Sequence, residues 1–184
     1  RGILSYWDGE MNESGPRTSY VRRVAKQLLR DSNVRQPPVD LRHVANHCGL
    51  KYEEVDYFPD DVDALIVTGE DGPVAVVNKN QSNNRRRFSL AHELGHFVLH
   101  RDGSVLEAAI SIDSPPTGDS GDERSSIAER EANLFAGELL VPVAFLKEHF
   151  RPGMTAADVA TLFEVSESVA AIAISSHMRA LFKI

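Results

Sequence analysis

Phe88-Ser89-Leu90-Ala91-His92-Glu93-Leu94-Gly95-His96 is the stretch that decides the reading of this chain. It sets His-Glu-x-x-His inside an apolar helical pattern, the arrangement that gathers two imidazoles and a carboxylate around one catalytic metal ion. At 3.6 residues per turn, His92 and His96 stack on one helix face about 6 Å apart along the axis, within reach of a single tetrahedral Zn²⁺. Glu93 lies about 100° around the helix from His92. That offset keeps its carboxylate off the metal yet near enough to a metal-bound water to take its proton.

The flanks support a buried setting. Phe88, Ala91, Leu94, Phe97, Val98 and Leu99 make the helix apolar on more than one side, as in a core element. Burying two imidazoles and a carboxylate without partners would cost about 2 kcal/mol or more each, and metal coordination satisfies the nitrogens directly. Gly95 in mid-helix costs about 1 kcal/mol relative to Ala, which predicts the close approach of a strand or a substrate backbone there. The competing reading is a core helix with ordinary hydrogen-bonded histidines.

A catalytic zinc site wants three protein ligands and an open fourth position. The next helical stretch, Ser125-Ser126-Ile127-Ala128-Glu129-Arg130-Glu131-Ala132-Asn133-Leu134-Phe135-Ala136-Gly137-Glu138-Leu139-Leu140-Val141-Pro142, offers the third. Ile127, Leu134, Phe135 and Leu139 recur at helical spacing, Ser125 or Ser126 is placed to cap the start, and Pro142 marks the end. Glu129 and Asn133 share a face, so Glu129 is positioned to bind the metal while Asn133 holds a histidine in the right tautomer from outside the coordination sphere. Glu131 points elsewhere and stands as the second candidate ligand. His100 falls about 6 Å beyond His96 along the axis, too far for a third histidine ligand, which predicts a supporting or structural role.

The blocks Arg87 to His100 and Glu129 to Pro142 resemble the signatures of the ImmA/IrrE family of metallopeptidases. The likeness extends upstream through Pro37-Pro38-Val39-Asp40-Leu41, the helix ending at Gly49 and the strand ending in Val76-Val77-Asn78, so it covers about residues 18 to 150. It implies a thermolysin-like minimal zinc endopeptidase with His92, His96 and Glu129 as ligands and Glu93 as general base. It also implies a regulatory protease of the stress or DNA-damage response or of mobile elements, whose substrate is a helix-turn-helix repressor. Val141 stands where methionine is usual and Gly137 where alanine is usual.

The expected fold is α+β: a minimal zincin-like domain with a small mixed or antiparallel β-sheet packed on the His-Glu-x-x-His helix, plus a C-terminal helical segment. Tyr20 to Leu29 and Val39 to Cys48 read as helices, with Gly49 closing the second. Tyr52 to Tyr57, Ala64 to Thr68 and Val74 to Asn78 read as strands, the last two joined by a turn over Glu70-Asp71-Gly72-Pro73. In the resembling proteases an edge strand lines the cleft and pairs with extended substrate. Val74 to Asn78 is the candidate, with Val74, Val76 and Asn78 as substrate-binding positions. Between Asp113 and Arg124 the run is turn-rich, acidic and nearly free of apolar residues, as in a mobile flap.

Residues 1–17 read as a tail with Met11 as a candidate native start, 18–150 as the peptidase domain and 151–184 as a helix-turn-helix-like segment. In that last segment Glu167, Ser168, Val169 and Ala170 open the second helix, where a DNA reader would place Arg, Lys, Asn or Gln. Packing against the catalytic body is therefore expected in place of DNA recognition. The formal charge of -7 over 184 residues disfavours charge-driven adhesion to nucleic acid or anionic membrane and favours a protein partner. One cysteine, Cys48, cannot form an internal disulfide and reads as a small buried hydrophobe. His43 and His47 read as a solvated face. No secretory signal or membrane span is visible, so a cytoplasmic enzyme using Zn²⁺, or Mn²⁺ in its place, is expected. The rival is a non-proteolytic regulator or toxin–antitoxin module that binds a repressor without cutting it.

Overall fold

The computed structural model describes residues 15–58, 62–100 and 123–182. Helix α1, Thr18–Asp31, buries Val21, Val24, Ala25, Leu28 and Leu29, the i, i+3, i+4, i+7, i+8 stripe of a surface helix laid on a core. Helix α2, Leu41–His47, starts where the Asp40 side chain accepts from the His43 backbone N–H, and the chain leaves it through Gly49 at φ +77°. Strand β1 follows at Lys51–Val55, then β2 at Ala64–Gly69 and β3 at Gly72–Asn78. Glu70 and Asp71 form the two-residue turn between the last two, with Gly69 opposite Gly72. Gly72 sits at φ +103°, a conformation that L side chains rarely adopt.

The sheet is mixed, in the order β1-β3-β2, with β1 parallel and β2 antiparallel to β3. Helix α3, Asn83–Leu99, is capped by Ser82 and lies against β2 and β3, where Ile66, Ala75 and Val77 are buried. Helix α4, Glu123–Leu140, packs along both α3 and α1. As described, the helix already includes Ser125 and Ser126, so its start does not fall at either serine as expected. Leu94, Phe135, Leu139 and Leu140 are fully buried. At about 1.5–3 kcal/mol for each large apolar side chain removed from water, such residues dominate what holds the helices together.

Beyond Pro142 come α5 (Val143–His149), α6 (Ala156–Phe163), α7 (Glu167–Ser176) and α8 (Met178–Phe182). A reciprocal Thr155–Asp158 capping box opens α6, Glu164 ends it in the left-handed region, and Ser166 caps α7. Helices α6 and α7 meet at 108°, so the helix, turn and capped helix expected in this segment are present. Helix α7 lies against α4, as the lack of Arg, Lys, Asn or Gln at its start leads one to expect. Among the described residues no single helix is long and apolar enough to cross a membrane.

Two expectations are corrected here. Strand β3 is central: Val74 pairs with Lys51 and Val67, Val76 with Glu53 and Leu65, and Asn78 with Val55. Its backbone is committed on both sides, so Val74, Val76 and Asn78 cannot receive an added substrate strand, and the outer strands are β1 and β2. Also, the folded body begins before residue 18, because Arg17 is tied into α4 through Glu131. The acidic run after Asp113 lies outside the described residues.

Candidate metal centre

The site exists because α3 and α4 approach unusually closely at one point. A Cβ placed on Gly95 would sit 3.1 Å from Ala132 Cα, 3.2 Å from its carbonyl oxygen and 3.2 Å from Phe135 Cδ1. Those spacings are tighter than ordinary side-chain contact, so glycine is what permits the approach. The partner is a helix and not the expected strand or substrate. Gly95 lies between His92 and His96, and Ala132 lies between Glu129 and Asn133, so the contact brings the two polar faces together.

Among the described residues His92, His96 and Glu129 form the one cluster able to hold a metal ion, with their ligand atoms all within 4.8 Å of one another. His92 Nε2 is 3.3 Å from one Glu129 oxygen, His96 Nε2 is 3.1 Å from the other, and the two ring nitrogens stand 3.0 Å apart. Asn133 Oδ1, 3.1 Å from His92 Nδ1, accepts its N–H in the tautomer that leaves Nε2 bare. His96 Nδ1 is buried without a hydrogen-bond partner among the described residues. Two imidazole nitrogens and a carboxylate converging on one point are the donor set of a divalent metal of the zinc class.

The electrostatics agree with that chemistry. Hydrogen bonds with His92 and then His96 hold the Glu129 carboxyl far below the usual carboxylate range. Burial alone would lower His92, but its bond to Glu129 and the charges of Glu93 and Glu129 push the imidazole up. Glu93 is half-buried, and burial pushes its carboxyl up despite the opposing pull of His96 and His92. A carboxyl raised in this way is suited to moving protons near neutral pH.

Glu131 is not a ligand. It is fully buried and receives the Arg17 backbone N–H at 2.6 Å, Arg17 Nε at 3.0 Å and Arg17 Nη2 at 2.8 Å. Burial would raise its carboxyl, but the Arg17 hydrogen bonds win and keep it below the ordinary range. His100, buried at the end of α3, places Nε2 3.5 Å from the same carboxylate, with its ring centroid 5.8 Å from that of His96. It therefore braces the Glu131 cluster. Nothing in the sequence around Glu131 signals this pairing, since its main partner lies 114 residues away.

Sequence spacing leaves Tyr52, Tyr57 or an arginine among Arg85 to Arg87 open as the group facing the developing oxyanion, and all of these but Tyr57 are engaged elsewhere in the structure. Tyr52 and Arg86 bind Glu54, Arg85 binds Asp63, Arg87 donates to the Val39 and Glu164 carbonyls, and Tyr57 is 92 % exposed. His43 and His47 are exposed, with His43 on the Ser32 carbonyl at 2.7 Å, and Cys48 is buried, as a solvated face and a small hydrophobe predict.

Comparisons with known proteins give the family. The chain is 31% identical over 108 residues to the Radiation response metalloprotease IrrE of Deinococcus radiodurans, a match that covers 56% of this chain and 31% of that protein. The present chain thus corresponds to about a third of that relative's length. In fold it is similar to a Mycobacterium tuberculosis transcriptional regulator, with a TM-score of 0.61 at 20% identity over 84% of this chain and 46% of that one. The profile of the IrrE N-terminal-like domain, a peptidase family, matches residues 33–175, and the chain belongs to that family.

Proposed function

We propose that this chain is a zinc-dependent endopeptidase acting in the cytoplasm on a helix-turn-helix repressor, with Mn²⁺ able to take the place of zinc. The observation that carries the proposal is the convergence of His92 and His96 from α3 with Glu129 from α4, ligand atoms within 4.8 Å of one another. A bound divalent ion would supply the Lewis acidity that acidifies water and polarises the scissile carbonyl. Glu93 takes the proton of the attacking water and returns it to the amine nitrogen as the C–N bond breaks. Asn133 orients His92, and the packed Gly95–Ala132 contact holds both helices at the required separation.

Substrate backbone is assigned to β2, Ala64–Gly69, in place of β3. Strand β2 is an outer strand of the described sheet and packs beside α3, which supports an extended peptide adding main-chain hydrogen bonds along it. The repressor substrate rests on the family resemblance, on the relative named for a radiation response and on a net charge of -7 that favours a protein over a nucleic-acid partner.

The test is incubation of the metal-loaded chain with the helix-turn-helix repressor encoded nearest its gene. The proposal predicts one defined cut, blocked by a chelator. Glu93→Gln should keep fold and metal while cleaving at least about a hundredfold more slowly. Full activity in that variant contradicts the role of Glu93, and a tight repressor complex without any cut supports the sequestering module instead.

A further inference from the structure

A groove of about 370 Å³ opens beside the metal cluster, between α3 and α4 on one side and α7 on the other. Its walls are mainly apolar, with Phe88 and Leu134 facing Val169, Ile172 and Ala173. It is continuous with the cluster through two residues: Asn133 lines it while touching His92, and Phe88 has its ring centroid 6.4 Å from that of His92. Glu129, Asn133 and Gly137 follow one another at four-residue spacing on α4. One face of that helix therefore runs from the carboxylate through the histidine partner to the groove, at about 6 Å per step.

Gly137 is the second observation. It lines the groove inside α4, where glycine destabilises a helix relative to alanine, and a Cβ built on it meets nothing within 4 Å. Gly95 has a packing reason and Gly137 has none within the protein. Its missing side chain leaves space. On the opposite rim Ile172 is 65 % exposed, a large apolar side chain that the body of the protein does not cover.

Resting on the peptidase reading, we propose that this groove is a specificity subsite for a large apolar side chain of the substrate peptide, within about four residues of the scissile bond. Gly137 forms its floor and Ile172 its outer wall. An extended chain advances about 3.3 Å per residue, so the one 6 Å step from Glu129 to Asn133 and the two steps to Gly137 match residues about two to four positions from the bond. The C-terminal helix-turn-helix-like segment then serves substrate selection by supplying α7 as a wall. A pocket of this kind separates leucine from alanine by about tenfold or more, because each buried methylene counts.

Two readouts on the full metal-loaded chain test this. The first is the cleavage profile on a degenerate decapeptide library. The second is binding of Gly-Ser decapeptides with a central Leu-Leu-Leu or Ala-Ala-Ala to the Glu93→Gln protein. The expected result is enrichment of Leu, Ile, Phe or Met at one position within about four of the cut, and binding of the leucine peptide about tenfold or more tighter. Gly137→Leu, which fills the floor, and Ile172→Asp, which polarises the rim, should each abolish both preferences; the second variant serves if the first does not fold. Binding preference without any cleavage sinks the peptidase reading and leaves the subsite standing. Cleavage without an apolar preference, or with one that neither variant disturbs, overturns the subsite and leaves the peptidase. Failure of both readouts overturns both, and a dimer in solution dissolved by Ile172→Asp overturns the subsite by assigning the groove to a second copy of the chain.

Discussion

Glu129 and Glu131 are two residues apart on the same helix and have opposite occupations. Glu129 leaves its side chain 54% exposed and faces two imidazole nitrogens, whereas Glu131 is wholly enclosed by Arg17 and His100. Two residues on an α-helix are about 200° apart, so α4 shows one carboxylate to the cleft and the other to the core. The difference separates function from architecture. The exposed carboxylate is free to exchange a proton or a metal for its histidine partners, while the buried one is fixed by charge-assisted hydrogen bonds that lock the segment before α1 onto α4.

The sharpest way to break this contrast is to orphan the buried carboxylate. Arg17→Ala removes the guanidinium and leaves Glu131 buried with only a backbone N–H and His100 beside it, which should cost about 3–5 kcal/mol of stability in denaturant unfolding. Glu129→Gln, by comparison, should change the stability of the metal-free chain by less than about 1 kcal/mol, since an exposed ion pair contributes little. Equal losses for the two variants would erase the distinction.

A smaller effect is expected one turn along from Glu129. Asn133→Ala removes the acceptor that sets the His92 tautomer and should weaken metal affinity about 10- to 100-fold in a competition titration, with little change in unfolding. If affinity is unchanged, Asn133 does not orient the ligand.

The mildest test uses pH. His92 is pushed up, so the stabilisation from its pairing with Glu129 is fully present below the ordinary imidazole value and fades as pH rises through the raised one. Glu129 is depressed, so its contribution is present above the ordinary carboxylate value and is lost only as pH falls through the lowered one. Without metal, the melting midpoint should therefore decline modestly from pH 6 to pH 8. Metal needs the imidazoles deprotonated, so added Zn²⁺ should stabilise more at pH 8 than at pH 6. A midpoint shift of the same sign with and without metal would contradict the shared role of these side chains.

Much of this arrangement was legible in the sequence because it is local. The four-residue spacings of His92 with His96 and of Glu129 with Asn133 put each pair on one helix face regardless of tertiary context, and the apolar flanks of α3 announced burial. The helix-turn-helix shape near Ser166 was legible for the same reason, through its caps. What was not legible is non-local. The alternation in β1, β2 and β3 identifies strands, but it says nothing of order, and the parallel pairing of Lys51–Val55 with β3 moved the expected edge strand to the centre. Glu131 stands in the sequence as a second candidate ligand because its true partner, Arg17, precedes α1 and leaves no local trace. A mid-helix Gly95 signals a close approach but not the partner, because a helix backbone at Ala132 leaves no local trace in the residues around Gly95.

The most direct test of the central claim is the metal content of the purified chain after equilibration with Zn²⁺ and removal of excess, wild type beside Glu129→Gln and Glu131→Gln. With both variants folded, the account predicts one ion per chain in the wild type, one in Glu131→Gln and less than about a tenth of an ion in Glu129→Gln. Full occupancy in Glu129→Gln, or loss confined to Glu131→Gln, would contradict it.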